Sequence, residues 1–554
     1  MAELFERHRE TLEAALKAAE TRDYWSAYPE VPSTKIYGET AAADGEAAFK
    51  ARLGRPFELP GHPAEGEPLG AEVSPYGLAL EVGYPTAAPE TLIAAAAAAG
   101  KAWAAAGIET RIGVCLEILA RLNRRSFELA QAVSHTSGQS FVMAFQAGGP
   151  HAQDRGLEAV VYAYRAMTQT PASARWTKPQ GKQPPIVLEK HYRVIPRGIA
   201  LTIGCNTFPT WNAYPGLFAS LATGNAVIVK PHPAAILPLA ITLEIARGVL
   251  SEAGFDPNLL LLAADAPGRE ITKDLATRPE IKIIDYTGSN AFAQWLRDHA
   301  CQAELYSEEA GVNSVVVTGC DDFKGLCANI AFSLSLYSGQ MCTAPQNVFI
   351  PKEGIESDRG HLSFDDVAEG IKAAVDKLLG DPARAAGICG AIANPATLER
   401  LEAAAGDGEV LRASTAIEGQ AGARTATPLL LKVEADKSEA YAEERFGPIA
   451  FLVASESASA AIARAAGLAT EKGAITAAVY AVDPALLAEA EEAFAQAGVS
   501  LSCNLTGNIF VNQSAAFSDY HVTGANPAGN ACLTDAAFVA NRFRIAAVRR
   551  PLAA

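Results

Sequence analysis

Paired cysteines are missing from this chain. There is no CxxC pair and no Cys/His cluster at zinc-ligand spacing, which excludes a disulfide framework and a zinc finger; no metal site is expected. The nine cysteines stand singly, at 115, 205, 301, 320, 327, 342, 389, 503 and 532. An odd, scattered set reads as free thiols in a reducing compartment. Positive charge is also short: 46 Lys and Arg face 62 Asp and Glu, for a formal net charge of −16. Sequence-independent DNA or RNA binding needs a basic face to neutralise phosphates, so a nucleic-acid partner is excluded. No segment runs ~18 residues without polar or breaking residues, so no membrane span is expected. The nearest, Gly198 to Lys230, is cut by Asn206, Pro209, Asn212, Pro215 and Asn225. The start carries Glu3, Glu6, Arg7, His8, Arg9 and Glu10 with no apolar stretch behind them, so no signal peptide is expected. Tandem repeats and low-complexity linkers are absent too, apart from Ala-rich helices. The expectation is a soluble, cytoplasmic protein.

What is present is apolar bulk. Of 554 residues, 49% are hydrophobic and 19% charged, enough for large cores. At roughly 150 residues per domain, two to four domains are expected. Residues 1 to about 90 are rich in Pro and Gly and read as a lead that wraps onto the body. Helices are predicted over Pro89–Ala105, Thr110–Arg125 and, after the Gly148-Gly149-Pro150 break, Asp154–Met167. From Gly198 the pattern becomes strand–turn–helix in alternation. Ile199–Ile203, Ala226–Val229, Asn258–Ala263 and Ile281–Asp285 read as buried parallel strands, with helices at Tyr214–Leu221 and Leu239–Ala253. That is a doubly wound α/β region. A second α/β region runs from Ser314 to about Val511, with helices near 326–336, 364–379, 458–466 and 484–496.

Several short stretches carry chemistry. Cys342 follows Gly339-Gln340-Met341, and Glu308 in Glu308-Glu309-Ala310-Gly311 precedes it by 34 residues. A thiolate adds to an aldehyde carbon, and a carboxylate can then activate water against the thioester. Either Glu308 or Glu309 offers such a carboxylate; Glu309 also reads as a solvated turn residue. Lys230 ends an apolar strand in Val229-Lys230-Pro231, where an ammonium suits anionic oxygens. Thr287-Gly288-Ser289 follows a strand and opens a helix, where Gly admits a phosphate and the helix end favours its charge. Glu444-Arg445-Phe446-Gly447-Pro448 supplies another carboxylate and an aromatic beside a turn.

In this order the motifs resemble those of the aldehyde dehydrogenase superfamily over roughly residues 90 to 550. The resemblance implies a Cys342 nucleophile, a Glu308 general base, and an NAD(P) site built from Lys230, Thr287, Gly288, Ser289, Glu444 and Phe446. It also accounts for the lack of a GxGxxG motif. Three places depart from the family pattern. The family's oxyanion asparagine falls in Cys205-Asn206-Thr207-Phe208-Pro209; Asn206 is chosen by a one-residue shift, with Asn212 as alternative. The Glu that commonly follows the Lys is replaced by Pro233. A missing carboxylate there favours NADP over NAD, and His232 could assist a 2′-phosphate. Third, Phe517 to Pro527 replaces the usual Pro-Phe-Gly-Gly stretch. Together with the long lead and the Ser307-Glu308-Glu309 version of the base, this is similar to the phenylacetic acid degradation (PaaN-type) branch. Some relatives there add a C-terminal hydratase domain, which is not expected in a chain ending at Ala554.

The expected fold is α/β: cofactor-binding and catalytic doubly wound domains plus a small bridging sheet. The divisions are 1–310, with a bridging hairpin about 175–195; 311–511; and 512–554. The bridging hairpin and a strand at Phe543–Val548 predict a homodimer or homotetramer. The resemblance implies oxidation of an aldehyde, free or linked to coenzyme A, such as a semialdehyde from aromatic ring cleavage. A CoA-acylating dehydrogenase, a cofactor-independent thiol hydrolase and a non-catalytic protein on the same fold are the alternatives.

Overall fold

The structure is a computed structural model and describes residues 2–309, 311–518 and 520–552. Ala310 of the Glu308-Glu309-Ala310-Gly311 stretch and Asp519 of the divergent stretch lie outside the described residues.

Two parallel sheets carry the molecule. The first holds five strands in the order Leu260–Leu262, Ala226–Lys230, Ile199–Ile203, Ile281–Gly288, Glu304–Glu309. All pair in parallel. The first of them in sequence, Ile199–Ile203, lies in the middle, so the chain winds outward on both sides of it. A crevice opens at such a switch point beyond the carboxyl ends of the strands. Those ends are Ile203, Lys230, Gly288 and Glu309. Ile199–Ile203 and Ala226–Lys230 are buried along their whole length. This is why they read as continuous apolar runs.

The second sheet has seven strands, with Ser314–Val317 between Asn347–Pro351 and Thr476–Tyr480. Six run parallel, and Glu409–Arg412 adds an antiparallel edge. The third sheet is small and antiparallel, as expected. Ser173–Gln180 and Gln183–Pro196 form a hairpin, and Phe543–Pro551 pairs antiparallel with its second strand from Phe543↔Pro196 to Pro551↔Leu188. Trp176, Ile186, Ile195, Ile545 and Val548 remain exposed on it. The chain end is tied back to the first sheet by Arg542, whose guanidinium is fully buried and grips Asp285 at 2.6 and 2.8 Å.

Helices form where the sequence pattern places them, with earlier starts at two prolines. The helix expected from Asp154 begins at Pro150 and runs to Thr168, and that expected from Tyr214 begins at Pro209 and runs to Ala222. A proline opens a helix well, because its φ is preset and its missing N–H has no partner in the first turn. The lead is more ordered than its composition implied. Arg9–Thr21 and Ala41–Lys50 are helices, and Leu12, Ala15, Ala18 and Phe49 join the main core. Among the described residues no single helix is long and apolar enough to cross a membrane. All nine cysteines are free thiols.

Candidate active site

The nucleophile candidate is set on a turn that the chain can barely make. Tyr337, Ser338 and Gly339 all take positive φ, at 51, 51 and 65°. Such backbone is costly for the first two residues and is tolerated where surroundings over-determine it. Ser338 is held through its hydroxyl to Cys389 O and Ala426 O at 3.1 and 2.8 Å. Gly339 is required by space as well, since a Cβ would meet Gly447 O at 2.4 Å. Gln340 then fixes the exit: its amide donates to Ala391 O and accepts from Ala393 N, at 3.0 and 2.8 Å. Asn313 completes the mount by donating to the carbonyls of Cys342 and Ala344 at 2.8 and 3.0 Å.

Glu308 sits near the end of the edge strand Glu304–Glu309 and is buried. Its Oε1 lies 3.3 Å from Cys342 Sγ and accepts from Asn212 Nδ2 at 2.9 Å. Its other oxygen lies 2.9 Å from His521 Nε2, out of line for a good hydrogen bond. Burial pushes this carboxyl up, but nearby His521, Arg155 and the Cys342 thiol outweigh it and bring it down to about 2. The thiol moves the other way. Burial, then the Glu308 charge, push it well above the ordinary thiol value, and Arg155 only partly compensates. Arg155 itself stacks over Trp211, 3.8 Å from the ring centre.

The choice between the two glutamates is made by packing. Glu309 is buried rather than solvated and is gripped by Arg297 at 2.6 and 3.0 Å, with Ser307 donating at 2.7 Å. Its lone pairs are spent, and Glu308 alone faces the thiol.

Two cavities meet at Cys342. The larger, about 900 Å³, lies beyond the carboxyl ends of the first sheet. Lys230, His232, Thr287, Gly288, Ser289, Glu444 and Phe446 all line it, together with Glu308, Asn206 and Asn212. Lys273 and Arg400 add positive charge to its wall. Ser289 caps the helix Asn290–His299, accepting from Phe292 N at 3.4 Å. Gly288 has no room for a side chain, since a Cβ would sit 2.4 Å from the Tyr286 hydroxyl. A cavity of this size with three cations and a helix start on its wall suits a dinucleotide. Burial pushes Glu444 up to about 7, with Arg400 opposing.

Three of the expected features sit in surroundings the sequence did not show. The case for NADP rested on Pro233 leaving no carboxylate near Lys230. The structure supplies one from elsewhere: Asp265, buried, lies 2.7 Å from Lys230 Nζ, and Glu270 lines the same wall. His232 is exposed and its Nδ1 accepts from Ala234 N at 3.1 Å, which ties that nitrogen to its own loop. Asn206 donates to Thr136 O at 3.1 Å, whereas Asn212 touches Glu308 directly. Both asparagines therefore reach the cavity, each with one amide hydrogen engaged.

The second cavity, about 590 Å³, also opens on Cys342 and is lined by His521, Trp211 and Phe208, the last shared with the first cavity. His521 was not foreseen. It comes from the stretch that departs from the usual family pattern, and its ring packs edge-on to Trp211 at 4.8 Å. That stretch is laid against the base-bearing strand: Ala528 O accepts from Glu309 N at 2.7 Å, and Asn530 Oδ1 from Ser307 N at 2.8 Å.

With this geometry in view, comparison with known proteins gives the class. The model of the aldehyde dehydrogenase family matches residues 84–525, and the chain belongs to that family. It is 56% identical to the crystal structure of an NAD-dependent aldehyde dehydrogenase from Burkholderia multivorans, with 100% of this chain and 99% of that chain covered and a TM-score of 0.98. A 1-pyrroline-5-carboxylate dehydrogenase of Bacillus subtilis (strain 168) is 24% identical over 58% of this chain, which spans 62% of that relative's length. A sulfoacetaldehyde dehydrogenase of Neptuniibacter caesariensis is 24% identical over 61% of this chain and 70% of its own. A 1-pyrroline-5-carboxylate dehydrogenase structure from Thermus thermophilus, 18% identical, covers 96% of this chain and 99% of its own with a TM-score of 0.76, and shares the fold.

Proposed function

We propose that this protein oxidises an aldehyde to the carboxylic acid with NAD as hydride acceptor. The observation that carries the reading is the 3.3 Å approach of Cys342 Sγ to Glu308 Oε1 where two cavities meet. Cys342, as the thiolate, adds to the aldehyde carbon, forming a C–S bond and an oxyanion. Asn206, with Asn212 as the alternative, and the Cys342 backbone N–H are the donors for that oxygen. Lys230, Thr287, Gly288, Ser289, Glu444 and Phe446 would hold a nicotinamide dinucleotide, which would accept the hydride that leaves the carbon. Glu308 then takes a proton from water as it adds to the thioester; the C–S bond breaks and the acid departs. A base facing the thiol favours water over coenzyme A as the final acceptor.

NAD is preferred to NADP because Asp265 and Glu270 would repel a 2′-phosphate near Lys230. The Burkholderia multivorans neighbour, described as NAD-dependent, supports the same choice. A place in phenylacetate catabolism rests on the Phe517–Pro527 stretch, the Ser307-Glu308-Glu309 version of the base and the long lead taken together. A cytoplasmic location rests on the scattered free thiols. Assembly into a homodimer or homotetramer rests on the apolar exposed residues of the bridging sheet.

The test is cofactor reduction followed by absorbance, with NAD or NADP and a panel of aliphatic, aromatic and CoA-linked aldehydes, beside a Cys342→Ala control. Reduction lost in the control supports the reading. Cofactor binding without oxidation of any aldehyde would sink it.

A further inference from the structure

The two cavities that share Cys342 differ in charge, and the difference points to the substrate. Lys230, Lys273 and Arg400 line the dinucleotide cavity. Among the described residues that line the other cavity there is neither lysine nor arginine. Apolar and aromatic groups on its wall stand among uncharged amides and hydroxyls: Trp211 and Phe208, Phe332 stacked on Phe510 with ring centres 4.1 Å apart, and with them Gln146, Asn512 and Gln513. Its carboxyl groups are Glu30 and Asp154. His151 is paired with Glu30 at 2.6 Å, and His521 with Glu308 at 2.9 Å, so both imidazoles of this wall already face a carboxylate. Arg155 does not line the cavity; Trp211, on which it stacks, does.

The lead segment completes this cavity. Tyr24, Ser26 and Glu30 follow the helix Arg9–Thr21 and line it, and Asp154 is anchored to them by Ser26 Oγ and by Ala27 N at 3.2 Å. Burial pushes the Asp154 carboxyl up to about 8, so it brings little charge of its own at neutral pH. An anionic group entering such a wall gives up water and meets no lysine or arginine in return, while both imidazoles there are already paired with carboxylates.

We propose that the substrate is an uncharged aldehyde whose aromatic or aliphatic skeleton fills this cavity, and that a free carboxylate or sulfonate within the cavity's reach is rejected. The proposal rests on the dehydrogenase reading above. It separates this chain from relatives named for a carboxylate or for sulfoacetaldehyde. It also admits an acyl thioester, in which the far carboxylate is masked. And it gives the lead segment, otherwise without chemistry, a part in substrate selection.

A matched pair of substrates tests it with the full chain and NAD: adipic semialdehyde, which is an anion at neutral pH, and its neutral methyl ester, with phenylacetaldehyde as a third neutral probe. The ester is expected to exceed the acid at least tenfold in kcat/KM, mostly through KM, with phenylacetaldehyde on the ester's side. Val142, exposed and lining the cavity, offers the converse: Val142→Arg should narrow the ratio by improving use of the acid. Equal use of acid and ester, or preference for the acid, overturns the proposal while leaving the dehydrogenase reading intact. Cofactor binding with none of the aldehydes oxidised overturns both.

Discussion

Glu308 Oε1 stands 3.3 Å from Cys342 Sγ, and the same carboxylate meets His521 through its other oxygen at 2.9 Å. One carboxylate thus faces the thiol with one edge and is steadied from behind at the other. The first expectation concerns the two steps it serves. Glu308→Gln should retain a pre-steady-state burst of NADH while steady turnover falls ~10²–10⁴-fold, the usual worth of a general base. Cys342→Ala should show neither. Rapid-mixing absorbance separates the two; a Glu308→Gln enzyme with unchanged turnover would remove the base from the scheme.

The thiol's setting has a pH signature. Burial and the Glu308 charge both hold the proton on sulfur. Without cofactor, alkylation of Cys342 by iodoacetamide should keep rising with pH past the ordinary thiol value of roughly 8.5. Removing the neighbouring charge, as in Glu308→Gln, should shift that profile to lower pH. A plateau near neutrality in the parent enzyme would contradict the structure.

His521 acts through Glu308, and its removal should tell. His521→Ala should lower kcat more than it raises KM, because the carboxylate loses its support and not the substrate its walls. Added imidazole should restore part of the rate, and His521→Gln should retain more than His521→Ala. If neither imidazole nor Gln helps, the ring is only packing against Trp211.

Asp265 should govern the choice of nucleotide. Asp265→Asn removes a buried negative charge 2.7 Å from Lys230 and is expected to raise kcat/KM for NADP relative to NAD at least tenfold. Steady-state kinetics with the two cofactors check this. An unaltered ratio would place the 2′-position away from this pair.

Arg542 and Asp285 form a bidentate ion pair with no exposure on the arginine side. Replacing Arg542 by Leu strands the aspartate, at a cost of about 3–5 kcal/mol. Urea denaturation should show the loss, and the double variant Asp285→Asn with Arg542→Leu should recover part of it.

The parallel sheets were legible because buried strands are near-continuous apolar runs, and Cys342, Glu308 and Lys230 because each sits in a short local motif. What the sequence hid is what arrives from a distance. Asp265 lies in a loop with no motif, and only the fold carries it to Lys230. His521 sits in a stretch whose departure from the family pattern marked it as unusual without saying what it faced. The part played by Tyr24, Ser26 and Glu30 depends on where a helix in the lead lands. Glu309 looked like a solvated twin of Glu308; Arg297, twelve residues upstream on a helix, is what separates them.

The sulfur of Cys342 can be reached by two doors, and the base stands beside only one of them. Glu308 lines the nucleotide's cavity and not the aldehyde's. A water activated by Glu308 would therefore sit on the nucleotide's side of the sulfur. On the proposed reading, a nicotinamide held there would have to leave that side before the water could enter, and the acid would go last.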